Sequence, residues 1–297
     1  MPSSSSVRVR PIAAAIISVA LVVATVTRAQ PAGGRESALV LYRDPVFAGV
    51  EYTLDIVYGD AVDIPTGRTV QLLLDLYEPA GDTGPARPVL VFAHGGGFAG
   101  GDKANSRRWA EAFARRGWVA LSIEYRVNQG DLPTVGIPAA VADARQAVAW
   151  VRSHAAEHRL DSSRLVAGGS SAGAIAALFM TYTDLAQDDP AESPGVAGVM
   201  DLWGGMYGQE SRMTAGEPPL IIVHGTEDPV VPYSLAEALR DRAEAAGIPY
   251  AFHPLQATGH GSDETEVICS WAAEFFYPLL WPGSGASAYL PWSSHSG

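Results

Sequence analysis

The apolar run at residues 165–167 leads through two glycines into Ser170-Ser171-Ala172-Gly173 and then into the alanine-rich segment 174–178. A strand, a turn of small residues and a helix fit that order. Residues 169–173 also satisfy the pattern G-x-S-x-G. Gly169 and Gly173 carry no Cβ, so strand and helix can close on one another around Ser171. The serine hydroxyl is then held out at the tip of the turn. The helix N-terminus beside it presents free amides that favour negative charge.

Strands and helices alternate around this stretch. Residues 51–58 and 69–77 alternate apolar and polar side chains, and the turn-rich segment 60–68 between them suggests a hairpin. Residues 89–93 and 219–224 are short continuous apolar runs, as expected of strands covered on both faces. Residues 118–125, 196–203 and 250–255 read as further strands. Helical spacing marks residues 106–116, 138–157, 235–246 and 264–276. The alternation predicts an α/β fold with a mostly parallel central sheet and helices on both faces. At 297 residues, one such domain over 50–281 accounts for the chain. In such sheets ligands sit at the carboxyl ends of the strands.

The termini read differently. Arg8 and Arg10 precede an uncharged apolar run at 12–26, and Thr27-Arg28-Ala29 suits cleavage before Gln30. Residues 1–29 therefore predict a signal peptide and a secreted or periplasmic protein, with no stable membrane association after cleavage. Residues 30–49 read as a linker and 282–297 as a loose tail rich in Gly and Ser. The net charge of −12 argues against nucleic acid as a partner. The single cysteine, Cys269, falls in an apolar helical pattern and reads as a buried small hydrophobe rather than a nucleophile.

Four pieces fall just past strand ends: Ser171, the glycine run His94-Gly95-Gly96-Gly97, Asp228 and His260. A serine hydroxyl becomes a useful nucleophile near neutral pH when an imidazole takes its proton. The imidazole in turn needs an acceptor that fixes its tautomer, a role open to Asp228. Glycine amides can crowd a developing oxyanion, so Gly96, Gly97 and Ala172 are the candidate donors. His224 and His253 compete with His260 for the base. Glu227 and Asp201 compete with Asp228 for the acid, although Asp201 falls inside its strand. The chemistry calls for no metal or cofactor.

Asp75-Leu-Tyr-Glu-Pro79, the run 94–101, Glu124-Tyr-Arg126, and segments 143–150 and 224–232 together resemble the α/β-hydrolase superfamily. The likeness is to its esterase/lipase branch, including feruloyl-esterase-like (BD-FAE) and hormone-sensitive-lipase-like carboxylesterases, and covers roughly residues 50–278. It implies the α/β-hydrolase fold, the triad Ser171, Asp228 and His260, and an oxyanion loop at Gly96 and Gly97. Ser170 stands where the hormone-sensitive-lipase branch usually has Asp, which favours the feruloyl-esterase-like branch.

The resulting expectation is an exported serine carboxylesterase acting on small-molecule esters. The same triad would serve an amidase or formamidase, a lactonase or a peptidase, and a silent hydrolase fold could act as a binding protein. Residues 204–218 are too few for a cap domain. Residues 38–50 could add partial cover, few apolar residues would remain for a long acyl channel, and Phe98, Trp203 and Tyr207 would wall a compact pocket. Short-chain or aromatic esters follow as the expected substrates.

Overall fold

The computed structural model describes residues 39–183 and 195–283. The expected signal peptide, the first part of the linker and the tail from 284 on thus lie outside the described residues. Eight strands form one sheet in the order β1-β2-β4-β3-β5-β6-β7-β8. These are β1 (Val50–Asp63), β2 (Arg68–Pro79), β3 (Arg87–Ala93), β4 (Val119–Ile123), β5 (Leu160–Ser170), β6 (Gly198–Leu202), β7 (Leu220–Gly225) and β8 (Tyr250–Leu255). β2 pairs antiparallel with β1 and with β4, and β4 through β8 pair parallel. β3 and β7 are buried along their whole length, as their unbroken apolar runs require.

Helices α1 (Arg107–Ala114), α2 (Ile137–Ser153), α3 (Ala172–Tyr182), α4 (Tyr233–Ala246) and α5 (Thr265–Leu280) cover the sheet. One core layer packs apolar residues of α2, α3 and α4 on the sheet, for example Val148, Leu178 and Leu239. On the other side α1 and α5 bury Trp109, Phe113, Ile268 and Phe276. Gly247 ends α4 in the left-handed region (φ 69°), and the Ile248 amide bonds back to Ala243 O at 2.9 Å. This is the α/β-hydrolase fold. Among the described residues no helix is long and apolar enough to cross a membrane.

Several boundaries differ from the sequence reading. The β1–β2 hairpin runs on to a short turn at 64–67, closed by the Gly67 amide on Asp63 O at 2.7 Å. β1 is an edge strand with much of its length exposed, so Asp60 and Asp63 sit in it at little cost and conceal it from a hydrophobicity reading. α2 ends at Ser153, short of 157, and α5 continues through Pro278 to Leu280.

The segment from Leu39 to Gly49 covers nothing at the carboxyl ends of the strands. The Tyr42 and Phe47 amides bond Arg116 O and Arg115 O, and Trp118 Nε1 donates to Tyr42 O at 2.8 Å. All three partners precede β4, which puts the segment at the amino end of the sheet.

Candidate active site

β5 delivers the chain to Ser171, whose φ of 53° and ψ of −119° are strained for a residue with a side chain. The bend holds because a Cβ on Gly169 would overlap Gly173, and one on Gly173 would overlap the Ala93 carbonyl. The Ser171 amide donates to Leu202 O of β6 at 2.8 Å, and its carbonyl accepts from Ile175 at 2.9 Å. The tip is thus fastened to the adjacent strand and to the helix it opens.

His260 lies in the loop after β8. That loop is tied to the one after β7: Glu227 N donates to Thr258 O at 3.0 Å, and Ala257 N to Thr226 Oγ1 at 3.0 Å. The two loops bring the side chains into one line. His260 Nε2 is 2.8 Å from Ser171 Oγ, and its Nδ1 is 2.7 Å from Asp228 Oδ2. Asp228 Oδ1 accepts the amides of Val230 at 2.8 Å and Val231 at 2.9 Å. Burial pushes the Asp228 carboxyl up, but the bonds from His260, Val231 and Val230 outweigh it and hold the group below its ordinary value.

Of the competing residues, His224 lies behind Asp228, and its Nε2 is bonded to Val231 O and not to Ser171; the others stand elsewhere. His253 stacks on Trp271, ring centroids 4.4 Å apart, and burial alone pushes it down to about 4. Glu227 is exposed. Asp201 is fully buried; its Oδ1 accepts the Gly204 amide at 2.9 Å and its Oδ2 has no partner among the described residues. Burial pushes Asp201 up to about 7, with only the Gly204 amide opposing it. Cys269 is buried among α5 residues, and that burial raises its thiol well above the ordinary value.

The glycine run after β3 is braced by His94. Its ring stacks on Tyr125 at 4.4 Å, its Nδ1–H donates to Gly95 O at 2.7 Å, and its own carbonyl accepts Tyr125 OH at 2.9 Å. Gly96 adopts φ 135°, and its carbonyl accepts the amides of Ala99 and Gly100. No hydrogen bond among the described residues uses the amides of Gly96 or Gly97. Ala172 opens α3, where an amide has no carbonyl one turn earlier to bond. Gly97 and Ala172 border the same cavity as Ser171.

That cavity has a volume of about 620 Å³, within the range of small-molecule sites. Ser171, Ile175, Phe179 and Thr183 recur at every fourth residue, so one face of α3 forms a wall leading away from the serine. Phe98 and Tyr207 line the cavity as expected from sequence. Trp203 does not. It is 4% exposed and packs edge-on against Trp109, 6.1 Å away in the opposite core layer. Its φ of 47° breaks the strand alternation and turns the ring to the same side as Leu202.

Sequence reasoning missed Leu132, Pro133 and Ile137 before and at the start of α2, and Val230 and Val231 beside Asp228. Met206 adds a further wall, with Gln209 and Arg212 at the polar side. The lining is therefore more apolar than a chain without a cap domain suggested. The spacing of Ile175 and Phe179 from Ser171 was a usable signal. The loop before α2 had none, since its distance from the serine is set only by the fold.

Comparison with known proteins follows the same lines. A BD-FAE domain is matched over residues 74–204, a span that holds the glycine run and Ser171 but stops before Asp228 and His260. The chain is 30% identical over 250 residues to the esterase LipQ of Mycobacterium tuberculosis, covering 68% of this chain and 56% of the relative. It is 27% identical to the esterase LipC of the same organism, covering 64% and 57%. It thus spans little more than half the length of these curated relatives. Among solved structures, esterase 2 of Thermogutta terrifontis phosphonylated by cyclosarin superimposes with a TM-score of 0.65 at 29% identity, covering 78% of this chain and 95% of that one. The propionate-bound form of that esterase gives 0.64 at 28% identity, with 78% and 95% covered.

Proposed function

We propose that this α/β-hydrolase of the esterase/lipase kind is an exported serine carboxylesterase, hydrolysing short-chain or aromatic esters through an acyl-enzyme. The observation that carries the reading is the line from Ser171 Oγ through His260 to Asp228, opening on an apolar cavity. His260 Nε2 takes the hydroxyl proton as Ser171 Oγ attacks the ester carbonyl carbon. The carbonyl oxygen becomes an oxyanion, for which the amides of Gly96, Gly97 and Ala172 are the donors. As the tetrahedral adduct collapses, the imidazolium gives that proton to the departing alkoxide, leaving an alcohol and an acyl-serine. Water then repeats the cycle, giving its proton to His260, and the acid leaves with Ser171 restored.

The substrate preference rests on two supports. The cavity offers Phe98, Ile175, Phe179 and Tyr207 to an aryl ring or a short chain, and the similar thermophilic esterase has been solved with propionate and with butyrate bound. Export rests on residues 1–29 alone. The test is a p-nitrophenyl ester series from C2 to C16, with aryl and amide analogues, followed above and below substrate solubility. Highest kcat/KM at C8 or shorter or on aryl esters, without a rate jump when emulsion forms, is expected. A maximum at C10 or longer, or faster amide than ester cleavage, overturns the substrate assignment.

A further inference from the structure

His224, near the end of β7, lies beside the acid and does not border the cavity. It is fully buried, and Asp228, His260 and the Tyr233 ring (centroids 6.1 Å apart, edge-on) surround it, with Tyr207 also near Asp228. Its Nε2 is 2.9 Å from Val231 O. A carbonyl only accepts, so the proton is on Nε2. The same nitrogen lies 3.3 Å from Asp228 Oδ2, the oxygen that also receives His260. Both backbone groups of Val231 are therefore held, its amide by Asp228 and its carbonyl by His224. Of the two ring nitrogens of His224, only the Nε2–H has a partner among the described residues.

We propose that His224 is a positioning residue for the acid: its Nε2–H, bonded to Val231 O, fixes the turn whose amides hold Asp228, and the ring nitrogen lies 3.3 Å from the oxygen that faces His260. The proposal rests on the serine-hydrolase reading above. Burial pushes His224 below the usual imidazole range, against the Val231 carbonyl and the Asp228 charge, so it stays neutral while His260 cycles. Because His224 does not border the cavity, its effect belongs in kcat and not in KM.

The test compares His224→Leu and His224→Phe, which remove the donor, with His224→Gln, whose amide nitrogen reaches the place of Nε2. The first two should lower kcat by about 10- to 100-fold with KM unchanged. They should also move the half-plateau pH of kcat/KM upward, because a carboxylate without the positive end of that N–H dipole beside it pulls harder on the His260 proton. His224→Gln should recover both. Unchanged kcat in His224→Leu, a downward shift, or no recovery by Gln overturns the proposal. Should the apolar variants fail to fold, ¹⁵N-histidine NMR of the wild-type protein decides: His224 should be the neutral Nε2–H tautomer from pH 7 to 9. An Nδ1–H tautomer, or titration within that range, overturns it. Fluorophosphonate labelling of Ser171, run alongside, tests the serine-hydrolase reading separately, since the NMR result does not depend on activity.

Discussion

Asp201 and Asp228 belong to neighbouring strands, one inside β6 and the other in the loop after β7, and both side chains are shut off from water. Asp201 receives one amide and leaves an oxygen without a partner among the described residues. Asp228 receives two amides and His260, with His224 close behind. Burial acts on both in the same direction, yet Asp201 is pushed up to about 7 while Asp228 ends below its ordinary value. Donors as well as depth decide which of the two carboxylates stays ionised: Asp228 has more donors and sits less deeply than Asp201. A loop can turn several amides onto one side chain. A strand residue has its neighbours' amides committed to the sheet.

The contrast breaks most sharply in activity. Asp228→Asn should cost about 10⁴-fold in kcat/KM by favouring the wrong His260 tautomer, and Asp201→Asn less than about tenfold. Steady-state kinetics on a p-nitrophenyl ester decide it, and reversed effects would make Asp201 the acid.

A second contrast lies in the two aromatics after β6. Trp203→Ala should destabilise by about 3–5 kcal/mol, since it empties a packed layer around Trp109. Tyr207→Ala, half exposed at the cavity, should raise KM for aryl esters with little change in denaturation midpoint. Urea titrations beside kinetics separate the two. A stable Trp203→Ala with altered KM would return Trp203 to the pocket.

The smallest effect concerns pH. A carboxyl raised from 3.8 to about 7 on folding costs nothing below the unfolded value. The penalty grows between about 4 and 7 and is complete above that. Asp201→Asn should therefore match the wild-type Tm at pH 4 and exceed it by about 4–10 °C at pH 8. Asp228 has the opposite sign: its donors stabilise the fold above the ordinary carboxylate range, and that contribution is lost in acid. A Tm difference for Asp201→Asn that is flat with pH would mean that Asp201 is partnered.

Much of this was legible in the chain. The elbow glycines, the buried runs of β3 and β7, and the order Ser171, Asp228, His260 all carry local chemistry that a sequence displays. Trp203 was misplaced because one positive φ reverses a strand's alternation, and no residue type announces that at a tryptophan. The cover expected from residues 38–50 failed for another reason: the segment is apolar enough to pack, but only the fold shows that its partners precede β4. Leu132 and Ile137 join the cavity through long-range geometry alone.

The central claim is that Ser171, activated through His260 and Asp228, is the group that attacks. The direct measurement is the rate of inactivation by a fluorophosphonate, with intact-protein and peptide mass spectrometry, on the wild type, Ser171→Ala, Asp228→Asn and Asp201→Asn. The account predicts one adduct on Ser171 formed in step with loss of esterase activity, none in Ser171→Ala, labelling slowed by orders of magnitude in Asp228→Asn and near wild-type labelling in Asp201→Asn. An adduct on another residue, or esterase activity that survives in Ser171→Ala, would contradict it.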